Sequence, residues 1–222
     1  MFVVNPMPAP LVDSSLTLLR QAETATIGHF RHACFLDRAI QPVLPQHRIA
    51  GTAVTVRIAA HDSAMLHYVI NLVRPGDVVV VDRCGDDRHA CWGGGVSAAM
   101  KFAGVAGGVV DGPATDFSEI RELDFPLWCR GASPITTKLV GLESAINVPV
   151  SVGGVVIRPG DAVLADESGV VVLAPEEVDE VARTAIGKQE AGVRLVERLR
   201  NGEKIADISG ATAMIEKGLG RA

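Results

Sequence analysis

The sequence predicts a single α/β domain with mixed strands. Its 222 residues are 48% hydrophobic, which is enough apolar material for one substantial core. β-Branched runs typical of strands alternate with segments of helical spacing before residue 130, and a series of short strands follows between Asn147 and Leu173. These patterns together indicate helices and strands that share one core.

The net charge and the lack of recognisable targeting signals argue against a nucleic-acid-binding, secreted or membrane protein. The formal net charge is −5 and the isoelectric point is near 5.7, and the basic residues are scattered, so direct nucleic-acid binding is disfavoured. The four cysteines form no C-x-x-C pair, which fits a reducing compartment. The N-terminus has no signal-peptide pattern, and no segment is apolar enough to span a membrane. We therefore expect a cytoplasmic protein without membrane or nucleic-acid partners.

The first 28 residues are expected to form an N-terminal arm and a helix. Prolines at positions 6, 8 and 10 favour an extended arm, and Asp13-Ser14-Ser15 can cap a helix that runs towards Ile27. Residues 29–175 then form the predicted α/β core. In it, Ile49 to Ala59 is a predicted strand, and Asp62 to Leu72 has helical apolar spacing. Val78 to Val81 is typical of a strand buried on both faces.

The loop from Asp82 to Cys91 is a concentration of polar side chains. Its carboxylates and histidine could bind a metal or act as a general base, and the alternative is a solvated loop without function. The residues in question are Asp82, Asp86, Asp87 and His89.

The segment from Cys91 to Glu122 carries the main functional signal. Gly93 to Gly95 precede a predicted helix, where close backbone approach, unpaired N–H groups and the helix dipole favour an anion. The alternative is that these glycines only permit tight packing. Val105 to Val110 is a predicted buried strand, and a turn leads from it to Asp116 at the start of a second helix. Asp116-x-x-Glu119 resembles a capping box, so Asp116 is either a helix cap or a metal ligand.

The glycines do not match nucleotide-binding templates. The chain has no G-x-x-x-x-G-K-[ST] motif, and GGGVSA lacks the spacing of a dinucleotide fingerprint. Nucleotide binding is therefore not expected.

After the central segment, short strands and a helical extension complete the chain. Leu127 to Arg130 is a predicted strand, and residues 134–141 are a predicted loop. Tight turns separate the later strands, including Asp166-Glu167-Ser168, which we interpret as an exposed hairpin turn. Residues 176–222 form a predicted helical extension, whose long helix ends near Leu199.

The order and spacing of several short motifs resemble the family of 4-hydroxy-4-methyl-2-oxoglutarate aldolase and the regulator of ribonuclease activity A (RraA-like). The likeness extends from roughly Ile49 to Pro175. The motifs that carry it are Trp92-Gly93-Gly94, Ala98-Ala99, Gly104-Val105-Ala106-Gly107, Asp111-Gly112-Pro113 and Asp116. The resemblance implies a β/β/α swivelling-type fold that assembles as a homotrimer or homohexamer, with the site between subunits.

The resemblance also implies the roles of individual residues. The backbone N–H groups of Gly93, Gly94, Gly95 and Val96 match those that hold a substrate carboxylate, and Asp116 matches a ligand of Mg2+ or Mn2+. The expected activity is a metal-dependent lyase that cleaves a small 2-keto diacid and releases pyruvate, of the aldolase or oxaloacetate decarboxylase type. Thr115 and Asp116 are the candidate catalytic residues, and Thr115 also belongs to the candidate substrate-binding set.

The chain departs from the family pattern at two positions. Thr115 stands where the pattern has an arginine that binds the keto acid, and Arg83 or Arg88 is a candidate replacement. Gly94 stands where aldolase members often carry an acidic residue that takes part in proton transfer. We therefore expect weakened activity, with decarboxylation less affected than aldol cleavage. The alternative function is a non-catalytic regulator or scaffold that binds a protein partner.

Overall fold

A computed structural model describes residues 1–221 and confirms a mixed α/β architecture. Ala222, the end of the predicted C-terminal extension, lies outside the described residues. The strands are β1 (Phe2–Val4), β2 (Gln41–Pro42), β3 (Ile49–Ile58), β4 (Asp77–Asp82), β5 (Gly107–Val110), β6 (Leu127–Cys129), β7 (Ser144–Ile146), β8 (Val150–Val152), β9 (Val155–Ile157), β10 (Ala162–Asp166) and β11 (Gly169–Leu173). The helices are α1 (Asp13–Leu19), α2 (Thr24–Gly28), α3 (Ala64–Val69), α4 (Gly94–Phe102), α5 (Phe117–Glu122), α6 (Val178–Arg200), α7 (Ile205–Ile208) and α8 (Ala211–Gly218).

The main sheet has nine strands, and β3 is at its centre. The order along the sheet is β1-β7-β3-β4-β5-β6-β2, and β3 to β6 are parallel to one another. On its other edge β3 pairs antiparallel with two strands in succession: β10 pairs with residues 49–52 and β7 with residues 56–58. Strand β11 extends the sheet beyond β10, while β8 and β9 form a separate hairpin.

Alternate residues of β4 pack into two different hydrophobic clusters, one on each face of the sheet. Val79 and Val81 of β4 pack in the cluster that contains helices α3 to α5, whereas Val78 and Val80 pack against the β8–β9 hairpin and β10. This alternation follows from the twofold periodicity of a strand. It explains why β4 is a continuous apolar run, since both of its faces are covered.

The two ends of the chain are more structured than the sequence suggested. The first residues are extended, as predicted, and β1 in addition pairs parallel with β7. The predicted helix from Asp13 towards Ile27 is two short helices, α1 and α2, and both contact α6. Helix α6 follows a 3-10 turn and buries apolar residues only in its first half. The division at residues 28 and 175 remains a prediction.

The turn after β10 is the expected hairpin with Glu167 and Ser168 exposed, but Asp166 at its start is buried. The Asp166 carboxylate is buried and accepts hydrogen bonds from the backbone N–H of Thr24 (2.9 Å), from its hydroxyl (2.5 Å), and from the N–H of Ser168 (2.9 Å). Asp166 therefore anchors α2 to the sheet. Across residues 1–221, no helix is both long enough and apolar enough to cross a lipid bilayer.

Candidate active site at the glycine loop

The loops that follow β4 and β5 meet at the carboxyl end of the parallel strands, where ligands commonly bind in α/β sheets. Trp92 and Ala114 form a parallel bridge between the two loops. The N–H of Thr115 donates to the carbonyl of Trp92 (2.9 Å), and the N–H of Ala114 donates to the carbonyl of Gly131 (2.9 Å). Backbone pairing therefore fixes the glycine loop beside the segment that contains Asp116.

Trp92 attaches the glycine loop to the core. Its side chain is fully buried, its indole N–H donates to the Ser97 hydroxyl (3.0 Å), and its ring stacks on Phe125 at a centroid distance of 5.9 Å. Beneath the ring, a Cβ at Gly108 would lie 2.7 Å from the indole. The sequence G-V-A-G-G in this region thus makes room for the tryptophan that positions the site.

Helix α4 begins at Gly94, as the glycine pattern predicted. The N–H of Ser97 donates to the carbonyl of Gly93 (3.0 Å), which is the first helical hydrogen bond. The N–H groups before Ser97 have no carbonyl one turn earlier in the helix. A Cβ at Gly93 would lie 2.5 Å from the Asp116 carboxylate and 2.8 Å from the Thr115 methyl group. Close approach of these two segments therefore requires glycine at position 93.

Asp116 does not cap its own helix, so the capping-box interpretation is wrong. It precedes α5 in the left-handed region (φ 55°, ψ 41°), and its side chain makes no cap hydrogen bond. Instead its Oδ2 accepts the Gly94 N–H (3.1 Å) and its Oδ1 accepts the Thr115 hydroxyl (3.1 Å). The exposed carboxylate is thus turned onto the glycine loop.

This contact changes the expected role of Gly94. Its N–H, predicted to bind a ligand carboxylate, is already hydrogen-bonded to Asp116. Gly95 and Val96 follow in the first turn of α4 and both line the adjacent cavity, so their N–H groups are the better candidates for an anion.

The cavity beside the glycine loop has a volume of about 300 Å3. Five of the six predicted site residues line it, namely Gly93, Gly95, Val96, Thr115 and Asp116. The cavity is also lined by residues of two other segments, namely Ser63, His67, Thr136, Thr137, Lys138 and Leu139. The contribution of residues 134–141 was not predicted, because this segment carries no recognisable motif apart from the polar run Thr136-Thr137-Lys138.

Lys138 is held in place by its backbone and by a buried carboxylate. Its N–H donates to the His61 carbonyl (2.7 Å), and its own carbonyl accepts the Ser63 N–H (3.0 Å). Asp62 accepts the N–H groups of Val140 (3.0 Å) and Leu142 (2.6 Å), which fasten the end of the loop. Burial raises the pKa of Asp62, but these hydrogen bonds and one from Ala64 outweigh it, so the pKa is lowered overall.

Comparison with known proteins shows which family the chain belongs to. A sequence profile of the RraA-like family, described as Aldolase/RraA, matches residues 12–172. The chain belongs to the RraA-like family. A protein of Halalkalibacterium halodurans, provisionally named as a 4-hydroxy-4-methyl-2-oxoglutarate aldolase, is 38% identical over 154 residues, which are 69% of this chain and 73% of that protein.

Two further relatives bear names that refer to different functions. The 4-hydroxy-4-methyl-2-oxoglutarate aldolase of Thermus thermophilus is 35% identical over 57% of this chain and 76% of its own length. The crystal structure of Streptomyces coelicolor RraAS2, described as an unusual member of the RNase ES inhibitor RraA family, superimposes with a TM-score of 0.74 and 28% identity. That match covers 86% of this chain and 99% of the other. Family membership and fold are thus established together.

Arg83 and Arg88, the candidate replacements for an arginine at position 115, lie outside the cavity lining. Arg83 is fully buried, where it donates to the carbonyls of Ala60 (2.5 Å) and His89 (3.3 Å) and lies 3.5 Å from Asp86. Arg88 is exposed, and within residues 1–221 neither arginine lines the cavity. Lys138 is the cationic side chain that the fold brings to the cavity wall.

Other carboxylates of the loop after β4 accept hydrogen bonds within the protein. Asp82 accepts the N–H of Cys84 (2.7 Å) and that of Ser151 in β8 (3.3 Å). Asp86 accepts the N–H of His89 (3.0 Å), and a ring nitrogen of His89 pairs with the same carboxylate (2.8 Å). Cys91 lines the cavity, but burial raises the pKa of its thiol to about 11. A thiol with this pKa stays protonated at neutral pH and is a poor nucleophile.

The donor set suits a hard divalent cation with few protein ligands. Among residues 1–221 there is no cluster of three or more histidine, cysteine, aspartate or glutamate side chains that could enclose a metal. Asp116 nevertheless presents an exposed carboxylate at the cavity. Mg2+ retains several waters and is often bound by one or two carboxylates together with substrate oxygens. The residues present therefore fit Mg2+ or Mn2+ better than a fully coordinated structural zinc.

Proposed function

We propose that this protein is a divalent-metal-dependent lyase that cleaves a small 2-keto diacid and releases pyruvate. The observation that carries the proposal is the Asp116 carboxylate, which contacts the glycine loop in a cavity that Lys138 also lines. A cavity of about 300 Å3 is at the lower end of ligand-pocket sizes, which suits a small acid.

Different groups around the cavity would bind different parts of such a substrate. The N–H groups of Gly95 and Val96 would hold one carboxylate at the positive end of α4. The Lys138 ammonium would attract the second negative group, and Asp116 would hold Mg2+ or Mn2+. When bound, the metal would act as a Lewis acid that polarises the keto oxygen.

Thr115 modifies this chemistry. Its hydroxyl donates to Asp116 and so orients the carboxylate, but a neutral hydroxyl cannot replace the charge of an arginine. A lost oxyanion donor commonly lowers the rate by about 10²–10³. Lys138 would compensate for part of this loss. We therefore propose an active enzyme whose rate is below that of relatives with the arginine.

A pyruvate assay tests the activity. The purified protein is incubated with 4-hydroxy-4-methyl-2-oxoglutarate or oxaloacetate and with Mg2+ or Mn2+, and pyruvate is measured with lactate dehydrogenase. Rates are corrected for the reaction of each substrate with metal alone. We expect metal-dependent pyruvate formation that Lys138→Ala reduces, while Lys101→Ala, a control on the far end of α4, leaves it unchanged. Absence of pyruvate from both substrates would refute the lyase.

A second candidate function is a non-catalytic regulator that binds a protein partner. The specific observation in its favour is Thr115 in the place of the family arginine, together with the structural similarity to RraAS2. The two functions predict different ligand responses, because a ligand that binds only the folded state raises the melting temperature. Oxalate plus Mg2+ should stabilise the lyase, whereas a pure scaffold should not respond. A homotrimer or homohexamer, measured by light scattering, is expected for either function.

A further inference from the structure

A fully buried arginine, Arg83, connects the backbone of two loops that lead into the cavity. Its guanidinium donates to the carbonyls of Ala60 (2.5 Å) and Asp62 (3.4 Å) in the loop after β3, and to the carbonyl of His89 (3.3 Å) in the loop after β4. The first loop continues into α3, and the second continues into the glycine loop. One side chain therefore fixes the separation of the two loops.

The segment that contains Lys138 pairs with both of these loops. Thr136 forms a parallel bridge with Ala90, and Lys138 forms a parallel bridge with Asp62. Ala90 directly follows a residue whose carbonyl accepts from Arg83, and Asp62 itself provides such a carbonyl. A shift of either loop would therefore move Lys138 relative to the glycine loop.

Stability alone gives no reason for an arginine at this place. Within residues 1–221 the Arg83 Nε has no hydrogen-bond partner, and Ala60, which accepts a hydrogen bond from the guanidinium, has an uncommon left-handed backbone (φ 50°). The side chain also requires a glycine beside it, because a Cβ at Gly112 would lie 2.8 Å from the Arg83 Cγ. An apolar side chain would avoid the cost of burying a cation. Such costs commonly persist where a group serves a functional site.

We propose that Arg83 is a positioning residue, which holds Lys138 at the distance from the glycine loop that binds both ends of a 2-keto diacid. This inference rests on the proposed lyase function. Arg83 lies outside the cavity lining, so it would act through Lys138 and not on the substrate itself. Its loss should leave Asp116 in place, because the N–H of the preceding residue, Thr115, is bonded to the Trp92 carbonyl.

The position of Lys138 affects one part of the ligand. Oxaloacetate offers a second carboxylate to Lys138, whereas oxalate would bind through the metal and the first turn of α4 without a further negative group. Loss of Arg83 should therefore weaken the binding of oxaloacetate and spare that of oxalate. Because Arg83 would act through Lys138, its removal should have little further effect in a Lys138→Ala background.

The experiment compares wild type, Arg83→Met, and Arg88→Met as a control, since Arg88 is exposed in the same loop and does not line the cavity. With Mg2+ present, we expect Arg83→Met to raise KM for oxaloacetate at least about tenfold and to leave kcat within about threefold. The dissociation constant for oxalate should stay within about twofold. Arg83→Lys keeps a cationic donor and should recover part of the loss in KM. Arg88→Met should behave as wild type throughout.

Hydrogen exchange followed by mass spectrometry reports on the loop without any substrate. Amides of residues 134–141 should exchange at least about tenfold faster in Arg83→Met, while those of β4 and β5 keep their wild-type rates. If Arg83→Met does not fold, Gly112→Ala tests the same contact, because its Cβ would lie 2.8 Å from the Arg83 Cγ. The same changes in KM and in exchange are expected for that variant.

A wild-type KM and wild-type exchange in folded Arg83→Met would overturn the inference while leaving the lyase intact. Faster exchange throughout the chain, or an equal loss of oxalate and oxaloacetate affinity, would also overturn it, by showing that Arg83 only stabilises the fold. Additive effects of Arg83→Met and Lys138→Ala on KM would contradict an action through Lys138. No pyruvate from wild type would refute the lyase alone, since exchange of residues 134–141 would still show whether Arg83 holds the loop.

Discussion

Replacement of Asp116 by asparagine separates the metal-binding role that we propose for this residue from a structural one. Asparagine keeps the shape of the side chain and tolerates the left-handed backbone that position 116 adopts (φ 55°). In the variant, a neutral amide oxygen replaces the carboxylate oxygen that accepts the Gly94 N–H. No cap on α5 is lost, because the Asp116 side chain makes no cap hydrogen bond. For such an exposed contact we expect a cost of about 1 kcal/mol, which is small beside the roughly 5–15 kcal/mol that stabilise a typical domain.

The effect on ligand binding should be much larger. A ligand at one hundred times its dissociation constant stabilises the folded protein by about 2.7 kcal/mol. For a chain of this length, each kcal/mol raises the melting temperature by about 2–4 °C. We therefore expect oxalate with Mg2+ to raise the melting temperature of wild type by about 5–11 °C, and to leave that of Asp116→Asn nearly unchanged.

Differential scanning fluorimetry with and without ligand measures both effects in one series. Asp87→Asn is the matched control, because Asp87 is an exposed aspartate that does not line the cavity. It should retain the full ligand response. If Asp116→Asn unfolds in the absence of ligand, the residue is structural, and if it responds to Mg2+ and oxalate as wild type does, the assignment of the metal to Asp116 is refuted.

Three further predictions concern the cavity and the loop that contains Lys138. Gly93→Ala should weaken Mg2+–oxalate binding at least about tenfold in calorimetry, because its Cβ would lie 2.5 Å from the Asp116 carboxylate. The Cβ of Gly95→Ala would meet open space, so this control should bind the ligand more tightly than Gly93→Ala does. Equal affinities of the two variants would contradict the prediction. Thr115→Arg should raise the rate of pyruvate formation at least about tenfold by restoring a cationic donor, and an unchanged rate would indicate that Lys138 already fills the role. Asp62→Asn should lower the free energy of unfolding in urea by about 1–3 kcal/mol at pH 7, because hydrogen bonds to a carboxylate are weakened. The pKa of Asp62 is lowered in the folded state, so its stabilisation is complete above the ordinary value near 4 and is lost as the pH falls through the lowered value. The difference between wild type and Asp62→Asn should therefore shrink at pH 3 to 4, and a constant difference would argue against the carboxylate.

The central unit could be predicted because its signals are local. Consecutive glycines mark the start of α4, and the apolar run from Val105 to Val110 contains β5. Residues that favour a turn follow this run and place Asp116 directly before α5. Each signal lies within a few residues of the structure that it specifies. The direction of the Asp116 side chain was not predictable in this way, because its partner Gly94 comes from a different element.

The part of the cavity that residues 134–141 line depends on long-range contacts that leave no pattern in the sequence. Lys138 is positioned by backbone groups of His61 and Ser63, and backbone donors have no residue-type signature. Strand β7 is equally unrecognisable from its three residues, and becomes a strand because β1 and β3 lie on either side of it. Arg83 has the appearance of a surface residue, yet carbonyl groups far away in sequence make its complete burial possible.

The pairing of β3 has a consequence for the synthesis of the chain. One edge of β3 finds its partner β4 soon after translation, but the other edge must wait for β7 and β10, which are made roughly 100 residues later. At translation rates of roughly 5–20 residues per second, that edge stays open for roughly 5–20 s on the ribosome. An apolar strand with an open edge is a template for pairing with other chains. The protein should therefore be most vulnerable to aggregation before its final third emerges, and chaperones that cover nascent strands should affect its yield more than its equilibrium stability suggests.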